Sequence, residues 1–246
     1  MAIYLPRHDT QFEPRTWSSG LDCNMAAAAD MARFGSLGLI DRRHDWFRDR
    51  ARNSDGTPDR SGGTNIDQAQ DVLDGVGVAS TVYDGADGRA WANVISDLLR
   101  APIIAHGDYG AVPVALRGPI DRAYTGPHAV LFHALSGASI RVGDGLSDDW
   151  MLWPVAVARA YMVAFPGAGV TCLVPVIRKV AAKVATANVR AQPSRGSRVI
   201  TTISPRSRIH CGGTQRGEVI GANATWFRVW TAGRIGFVHS SVARWA

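Results

Sequence analysis

The segment from Asp22 to Met31 constrains this chain most, because it places one cysteine immediately before a strong helix-forming run. Four consecutive alanines with methionine on both sides favour an α-helix, since alanine has the highest helix propensity. Asp22 is suited to cap this helix by accepting a backbone N–H group. Cys23 then lies at the first turn, where unpaired N–H groups and the helix dipole favour a negative charge. The pattern indicates a nucleophilic thiolate, although most isolated cysteines are small, inert and buried.

Charge is distributed unevenly along the 246 residues. Residues 176–246 contain 12 lysines and arginines and one acidic residue, whereas residues 1–175 contain 15 basic and 20 acidic residues. This asymmetry predicts two units with different partners. The basic segment is expected to bind a polyanion such as nucleic acid, teichoic acid or another acidic wall polymer, unless its charge serves solubility alone.

Several classes of protein are not indicated by the sequence. No apolar run approaches the roughly 20 residues that span a bilayer, and the first residues lack the apolar core of a signal peptide. We therefore expect synthesis in the cytoplasm and no membrane partner. The three cysteines and seven histidines show neither a disulfide framework nor metal-ligand spacing, so we expect no metal and no other cofactor.

The pattern of residues 1–167 is typical of an α+β domain, with helices first and an antiparallel sheet after them. Three helices are predicted to begin near Cys23, Ile66 and Ala90. Residues 41–63 are predicted to form a solvent-exposed surface segment that Trp46 and Phe47 anchor to the domain. An antiparallel hairpin follows, with its turn near Gly137.

The predicted hairpin brings a histidine and a carboxylate together. With the turn centred near Gly137, Val130 lies opposite Asp144 and shares its face of the sheet. His128 points to the same face as Val130, so His128 and Asp144 are expected to lie within hydrogen-bonding reach. His133 has the opposite parity and is expected to point away. A slip of one residue in register would exchange the two faces.

The remaining histidines predict no second site. His8, His44 and His210 are expected on the surface. His106 ends a predicted strand and either lines the site around Cys23 or has a capping role.

Four short motifs occur in order between about residues 15 and 165. They are Asp22-Cys23 with its alanine-rich helix, Gly63-Thr64-Asn65-Ile66-Asp67, Gly126-Pro127-His128-Ala129-Val130 and Val142-Gly143-Asp144. Their order and spacing resemble the papain-like cysteine peptidases of the bacteriocin-leader-processing (C39-like) group and their phage relatives. The resemblance implies that Cys23 is the nucleophile, that His128 is the base and that Asp144 orients His128.

Two positions depart from the pattern of that family. The family usually has Gly-Pro after the cysteine, where this chain has Asn24-Met25, and usually has a glutamine shortly before the cysteine that donates to the oxyanion. Losing one oxyanion donor costs about 100- to 1000-fold in rate. The candidates for replacing this donor are Gln11, Trp17, Ser18 and Ser19. The alternative is that the domain is catalytically weak or inactive.

Residues 180–246 predict a small β-barrel, because five short strand-like segments are separated by turns. Asn188–Ser194 and Gly236–Ser241 resemble the opening and closing strands of bacterial SH3 domains, and Trp226–Val229 resembles the central strand. The resemblance implies binding of peptidoglycan or accessory wall polymers. The candidate wall-binding residues are Arg190, Arg228, Trp230 and Arg234. Of the aromatic residues Trp226, Trp230 and Phe237, at least two are expected to fill the small core.

Together these patterns predict a papain-like cysteine peptidase or amidase domain in residues 1–167, a linker over 168–179 and an SH3-like barrel over 180–246. The combination resembles phage endolysins and virion-associated lysins. It implies a peptidoglycan hydrolase that reaches the wall by lysis or in the virion, with peptidoglycan, acidic wall polymers and phage tail proteins as partners. The alternative is a weak or inactive virion tail protein that docks on the wall. A nucleic-acid binder is less favoured, because the tail lacks stacking and recognition motifs.

Overall fold

A computed structural model of the protein describes residue 8 and residues 23–59, 63–165 and 169–246. These residues form two compact units. The first comprises the described residues up to Ala32 together with Asp41–Val176, and the second comprises Arg33–Ile40 and Ile177–Ala246. None of the helices in the described ranges is long and apolar enough to cross a membrane.

The first unit has a mixed α/β structure built on a six-stranded antiparallel sheet with the strand order β1-β6-β2-β3-β4-β5. Its strands are β1 (Ser80–Tyr83), β2 (Ile103–Asp108), β3 (Pro127–Ser136), β4 (Ser139–Asp144), β5 (Met151–Pro154) and β6 (Cys172–Pro175). The helices are α1 (Cys23–Gly35), α2 (His44–Arg48), α3 (Ile66–Gly75), α4 (Trp91–Leu98) and α5 (Val155–Val163). The alanine-rich helix is thus confirmed.

The start of α3 is set by local sequence. Asn65 accepts a hydrogen bond from the backbone N–H of Gln68 at 2.8 Å, and the Gln68 side chain accepts one from the Asn65 N–H at 2.9 Å. This reciprocal capping box satisfies two N–H groups that a helix start otherwise leaves unpaired. Ile66, Val72 and other apolar residues of α3 are buried, as their helical spacing predicts.

A β-bulge at His133 decides which face of the sheet Asp144 occupies. Counting back from the tight turn at Gly137 without interruption would place Leu131 opposite Asp144. The bulge adds one residue to β3, so Val130 pairs with Asp144 instead. The predicted pairing is confirmed, and the bulge is the feature that produces it.

Strand β6 differs from the prediction, which assigned residues 168–179 to a linker. Residues 172–175 instead pair with both β1 and β2 and insert between them in the sheet. Cys172 and Leu173 are fully buried there. The physical reason is burial, because a four-residue apolar segment completes the sheet although it is too short to show a periodic pattern.

The second unit contains a seven-stranded antiparallel sheet with the strand order β13-β7-β10-β11-β12-β8-β9. The strands are β7 (Lys179–Ala182), β8 (Ala187–Arg190), β9 (Val199–Ile203), β10 (Ile209–Ile220), β11 (Asn223–Thr231), β12 (Arg234–His239) and β13 (Ala243–Trp245). Five of these correspond to predicted strands, whereas β7 and β13 were not predicted. Trp226 and Phe237 are buried and Trp230 is half-buried, so the expectation for at least two of the three is confirmed.

Residues Arg33–Ile40 belong to the second unit, although they lie within the predicted first domain. His210 donates its Nε2–H to the carbonyl oxygen of Gly35 at 3.2 Å, and Nε of Arg228 donates to the carbonyl oxygen of Leu37 at 2.9 Å. His210 is half-buried rather than on the surface, and burial lowers its pKa to about 4. These contacts join segments more than 170 positions apart in sequence, which local patterns do not reveal.

Candidate active site

Cys23 is the most accessible of the three cysteines. It is the first residue of α1 and is half-buried, whereas Cys172 and Cys211 are buried. Burial raises the pKa of each of these two thiols to about 12, so they stay protonated and unreactive near neutral pH. The first turn of α1 contains no acidic residue to oppose a thiolate. Cys23 is therefore the cysteine that is suited to act as a nucleophile.

His128 and Asp144 form a buried pair on one face of the sheet. Nε2 of His128 lies 2.8 Å from Oδ1 of Asp144, and the two residues are 4% and 0% exposed. Burial alone would lower the pKa of His128, but the charge and hydrogen bond of Asp144, with a further contribution from Cys23, raise it from 6.5 to about 10. Burial alone would raise the pKa of Asp144, yet the charge and hydrogen bond of His128 keep it below 3.8. The pair is thus imidazolium and carboxylate at neutral pH.

The two nitrogens of His128 have different partners. Nε2 is bonded to Asp144, and a hydrogen bond with the Cys23 side chain helps to raise the pKa of His128. Nδ1 is therefore the nitrogen that faces the thiol. His128 thus interacts with Cys23 on one side and with Asp144 on the other, which is the arrangement that nucleophilic catalysis requires.

Asn24, which follows the nucleophile, is held by hydrogen bonds at both ends of its amide. Its nitrogen donates to the carbonyl oxygen of Thr64 at 2.5 Å, and its Oδ1 lies 2.5 Å from Nε2 of His106. Since a carbonyl group only accepts, the amide orientation is determined and His106 carries its proton on Nε2. Burial, with a smaller effect of the His128 charge, lowers the pKa of His106 to about 4, so His106 is neutral at pH 7. Of the two roles considered for His106, lining the site is the one that the contacts support.

His8 contacts this region, although the sequence places it on the surface. Its Nδ1 lies 2.5 Å from Oδ2 of the buried Asp30, and its Nε2 lies 2.9 Å from the carbonyl oxygen of Asp144 and 3.1 Å from that of Ser147. Burial alone would lower the pKa of His8, but the charge and hydrogen bond of Asp30, with the carbonyl of Asp144, raise it to about 9. No local signal reveals this contact, because His8 is 136 positions from Asp144. His44 is also fully buried rather than on the surface.

The His8–Asp30 pair predicts a loss of stability at alkaline pH. Because the pKa of His8 is raised from 6.5 to about 9, its contribution is complete below pH 6.5 and is lost as pH rises through 9. The contribution amounts to about 3 kcal/mol. We expect the free energy of unfolding in urea to fall more between pH 6 and pH 10 for the native protein than for the double variant His8→Gln/Asp30→Asn. An identical fall in both proteins would contradict the assignment.

The predicted oxyanion donors Gln11, Trp17, Ser18 and Ser19 lie outside the described residues, as does the predicted cap Asp22. Within the described ranges, no three His, Cys, Asp or Glu side chains are grouped in a way that would hold a metal ion.

The candidate wall-binding residues differ in what they contact. Nη1 of Arg190 donates to the carbonyl oxygen of Ser197 at 2.7 Å, and Arg228 donates to the backbone as described above. Trp230 is half-buried, whereas Arg234 is exposed at the start of β12. Arg234 is consequently the most accessible of the four to a wall polymer.

No protein family model matches the chain, and no curated protein matches it. Among solved structures, the chain is similar to a putative C39-like peptidase from Bacillus anthracis, with 11% identity over 63% of this chain and 88% of that one and a TM-score of 0.44. It is also similar to NlpC2 from Trichomonas vaginalis, with 12% identity over 60% of this chain and 45% of that one and a TM-score of 0.22. A third similar structure is Ly7917 with the hydrolyzing product of MDP, with 14% identity, coverage of 90% and 84%, and a TM-score of 0.28. At these identities the activity of the chain has to be argued from the residues of its own site.

Proposed function

We propose that this protein is a cysteine hydrolase that cleaves a peptide or amide bond in peptidoglycan. The observation that supports the proposal is the alignment of Cys23, His128 and Asp144, with the thiol at a helix start and the imidazole between thiol and carboxylate. A nucleophile, a base and a group that orients the base are what acyl transfer through a covalent intermediate requires. The order of the motifs along the chain supports a papain-like peptidase or amidase domain.

The chemical steps follow from the partners of each group. Before the substrate binds, Nδ1 of the His128 imidazolium holds the proton that the thiol has given up, and the Sγ thiolate of Cys23 attacks the carbonyl carbon of the scissile amide. The tetrahedral oxyanion accepts a hydrogen bond from the backbone N–H of Cys23 and one further donor. The C–N bond then breaks as the amine takes the proton from His128, which leaves a thioester on Cys23. Water, deprotonated by the now neutral His128, attacks the thioester, and the C–S bond breaks to release the carboxylic acid and restore the thiolate beside the imidazolium.

Asp144 supports both half-reactions by stabilising the imidazolium form of His128. The imidazolium forms when the thiol loses its proton and again when water is deprotonated, and the buried carboxylate stabilises it both times. Because the pKa of His128 is raised, its proton is retained until the amine is in place to accept it.

The basic second unit would place this chemistry at the cell wall. Residues 176–246 contain 12 basic residues against the single acid Glu218, and a surface of that charge attracts teichoic acid and other acidic wall polymers. We propose an SH3-like wall-binding role for this unit and action at the wall of a phage host, either after lysis or as part of a virion in contact with tail proteins.

Binding to walls is expected to depend strongly on salt if the basic residues provide the attraction. The screening length falls from about 10 Å at 0.1 M salt to about 3 Å at 1 M salt. We expect Cys23→Ala protein to sediment with isolated walls at 0.1 M NaCl and to be largely released at 1 M. Walls stripped of teichoic acid with hydrofluoric acid serve as the control, and equal retention on stripped walls at both salt concentrations would contradict a polyanion partner.

A second function is favoured by one specific observation. Asn24-Met25 replaces the usual Gly-Pro, and the usual oxyanion glutamine is absent from its place. These changes favour a weak or inactive virion tail protein that docks on the wall. The intact Cys23, His128 and Asp144 support the hydrolase instead.

Digestion of isolated walls distinguishes the two functions. Purified protein is incubated with walls of several Gram-positive bacteria while released amines and muropeptide masses are followed, with Cys23→Ala as the control. The hydrolase predicts new amine-terminated fragments that are absent with Cys23→Ala, and their masses identify the bond. Binding without fragments on every wall would support the docking protein.

A further inference from the structure

Tyr109 is a buried residue that the reaction steps do not use, although its hydroxyl lies beside Asp144. It directly follows β2 and is fully buried. The hydroxyl oxygen accepts a hydrogen bond from the backbone N–H of Gly118 at 2.6 Å. Because an N–H group only donates, the hydroxyl proton of Tyr109 is free to point elsewhere, and it is donated to Oδ2 of Asp144.

The two oxygens of Asp144 therefore have separate partners. Oδ1 accepts from Nε2 of His128 at 2.8 Å and from the backbone N–H of Leu146 at 2.9 Å, while Oδ2 accepts from Tyr109. A carboxylate held at both oxygens cannot rotate out of the plane in which Oδ1 meets His128. Without this hydroxyl, Oδ2 of Asp144 would stay buried beside the ring of residue 109 and would lose the hydrogen bond that Tyr109 donates.

The position of the hydroxyl is itself fixed by close packing. A Cβ atom at Gly118 would collide with the carbonyl group of Leu146, so only glycine allows the Gly118 N–H to approach Tyr109 at this point. The Tyr109 ring packs edge-on against the His128 ring, with centroids 4.7 Å apart. One side chain thus contacts both members of the His128–Asp144 pair.

We propose that Tyr109 is a positioning residue that orients the Asp144 carboxylate, and through it the ring of His128, for the proposed hydrolysis. The expected effect of Tyr109 on rate rests on the proposed function. Stabilisation of the ionised Asp144 carboxylate by Tyr109 is independent of any substrate.

The charged and titratable groups around Asp144 set the direction of the expected effect. His128 contacts Oδ1 of Asp144, His8 contacts the backbone carbonyl of Asp144, and Tyr109 contacts Oδ2 of Asp144. The Cζ atom of Arg117 lies 5.9 Å from the centroid of the Tyr109 ring. Burial, followed by the charge of Asp144, raises the pKa of Tyr109, so the hydroxyl remains a donor at neutral pH. Losing this donor removes stabilisation from the ionised form of Asp144 and not from its protonated form, so the pKa of Asp144 rises.

The test compares Tyr109→Phe with Tyr161→Phe, a matched control. Tyr161 is also fully buried, but its hydroxyl donates to backbone carbonyls, that of His128 at 2.6 Å and that of Ala105 at 3.2 Å. Both variants keep the ring and lose one buried hydroxyl. The carboxyl ¹³C shift of Asp144 is followed against pH by NMR, and kcat and KM are measured on a soluble muropeptide.

We expect the apparent pKa of Asp144 to rise by about one unit in Tyr109→Phe, since hydrogen bonds to charged groups are the strong ones. The wild-type titration is expected in Tyr161→Phe. We also expect kcat to fall about tenfold in Tyr109→Phe with KM unchanged, because the residue acts through Asp144 and not on substrate.

An unchanged Asp144 titration in Tyr109→Phe, or the same rise in both variants, would overturn the proposal. If the native protein hydrolyses nothing, the proposed function fails, but the titration still decides whether Tyr109 stabilises the carboxylate. Should Tyr109→Phe not fold, 3-fluorotyrosine incorporated at position 109 replaces it. This residue keeps the ring and makes the hydroxyl a stronger donor, so the pKa of Asp144 is then expected to fall, and an unchanged titration would overturn the proposal.

Discussion

Replacement of Cys23 by alanine is expected to lower kcat/KM for wall-peptide hydrolysis by about 10⁴-fold or more, because removing the nucleophile of a covalent mechanism leaves only binding and oxyanion stabilisation. The fold should be preserved, since Cys23 is half-buried at a helix start where alanine is tolerated. The measurement is the initial rate of amine release from a purified muropeptide, with folding checked by thermal unfolding.

The other two cysteines provide matched controls for this variant. Cys172→Ala and Cys211→Ala remove buried thiols that contribute to packing and not to chemistry. Both should keep kcat/KM within a few-fold of the native value while losing about 1 kcal/mol of stability. Iodoacetamide should modify Cys23 well before either of them. A comparable loss of rate in Cys172→Ala or Cys211→Ala, with the fold intact, would contradict the assignment of Cys23.

Replacement of Asp144 by alanine is expected to lower kcat by about 10³- to 10⁴-fold, the scale of losing the orienting carboxylate of a catalytic triad. The variant leaves the buried His128 ring, the Leu146 N–H and the Tyr109 hydroxyl without their acceptor. Breaking a buried charge pair in this way also costs about 3–5 kcal/mol of stability.

Asparagine at the same position separates orientation from charge. The amide oxygen can accept from His128 and Leu146 as Oδ1 does, and the amide nitrogen can donate to the oxygen of Tyr109. Since asparagine serves as the orienting residue in papain-like sites, and the amide oxygen can keep the geometry although the charge is lost, we expect kcat to fall less in Asp144→Asn than in Asp144→Ala. Equal rates for Asp144→Ala and Asp144→Asn would contradict an orienting role.

Those parts of the fold that depend on local pattern were predictable from the sequence. The alanine run predicts α1, the Thr64-Asn65-Ile66-Asp67 segment predicts a helix start, and the Gly137 turn predicts the β3–β4 hairpin. The pairing of Val130 with Asp144 was also predicted. It depends on a bulge that no sequence feature indicates.

The supporting contacts of the site were not predictable, because their partners lie far apart in sequence. Tyr109 meets Asp144 across 35 positions, His106 meets Asn24 across 82, and His8 meets Asp144 across 136. Each is a side-chain contact made only once segments that are distant in sequence have come together in the first unit. Strand β6 was not predicted for the same reason, since a four-residue apolar segment forms a strand there by pairing with β1 and β2, which are distant in sequence.

The most direct test of the central claim is to trap the covalent intermediate on Cys23. The protein is mixed with a muropeptide substrate, quenched in acid within one turnover, and analysed by intact and peptide mass spectrometry. The mechanism predicts an adduct equal in mass to the acyl half of the substrate, on the peptide that contains Cys23, and none in Cys23→Ala. Turnover by the native protein with no adduct, together with undiminished turnover by Cys23→Ala, would show that Cys23 is not the nucleophile.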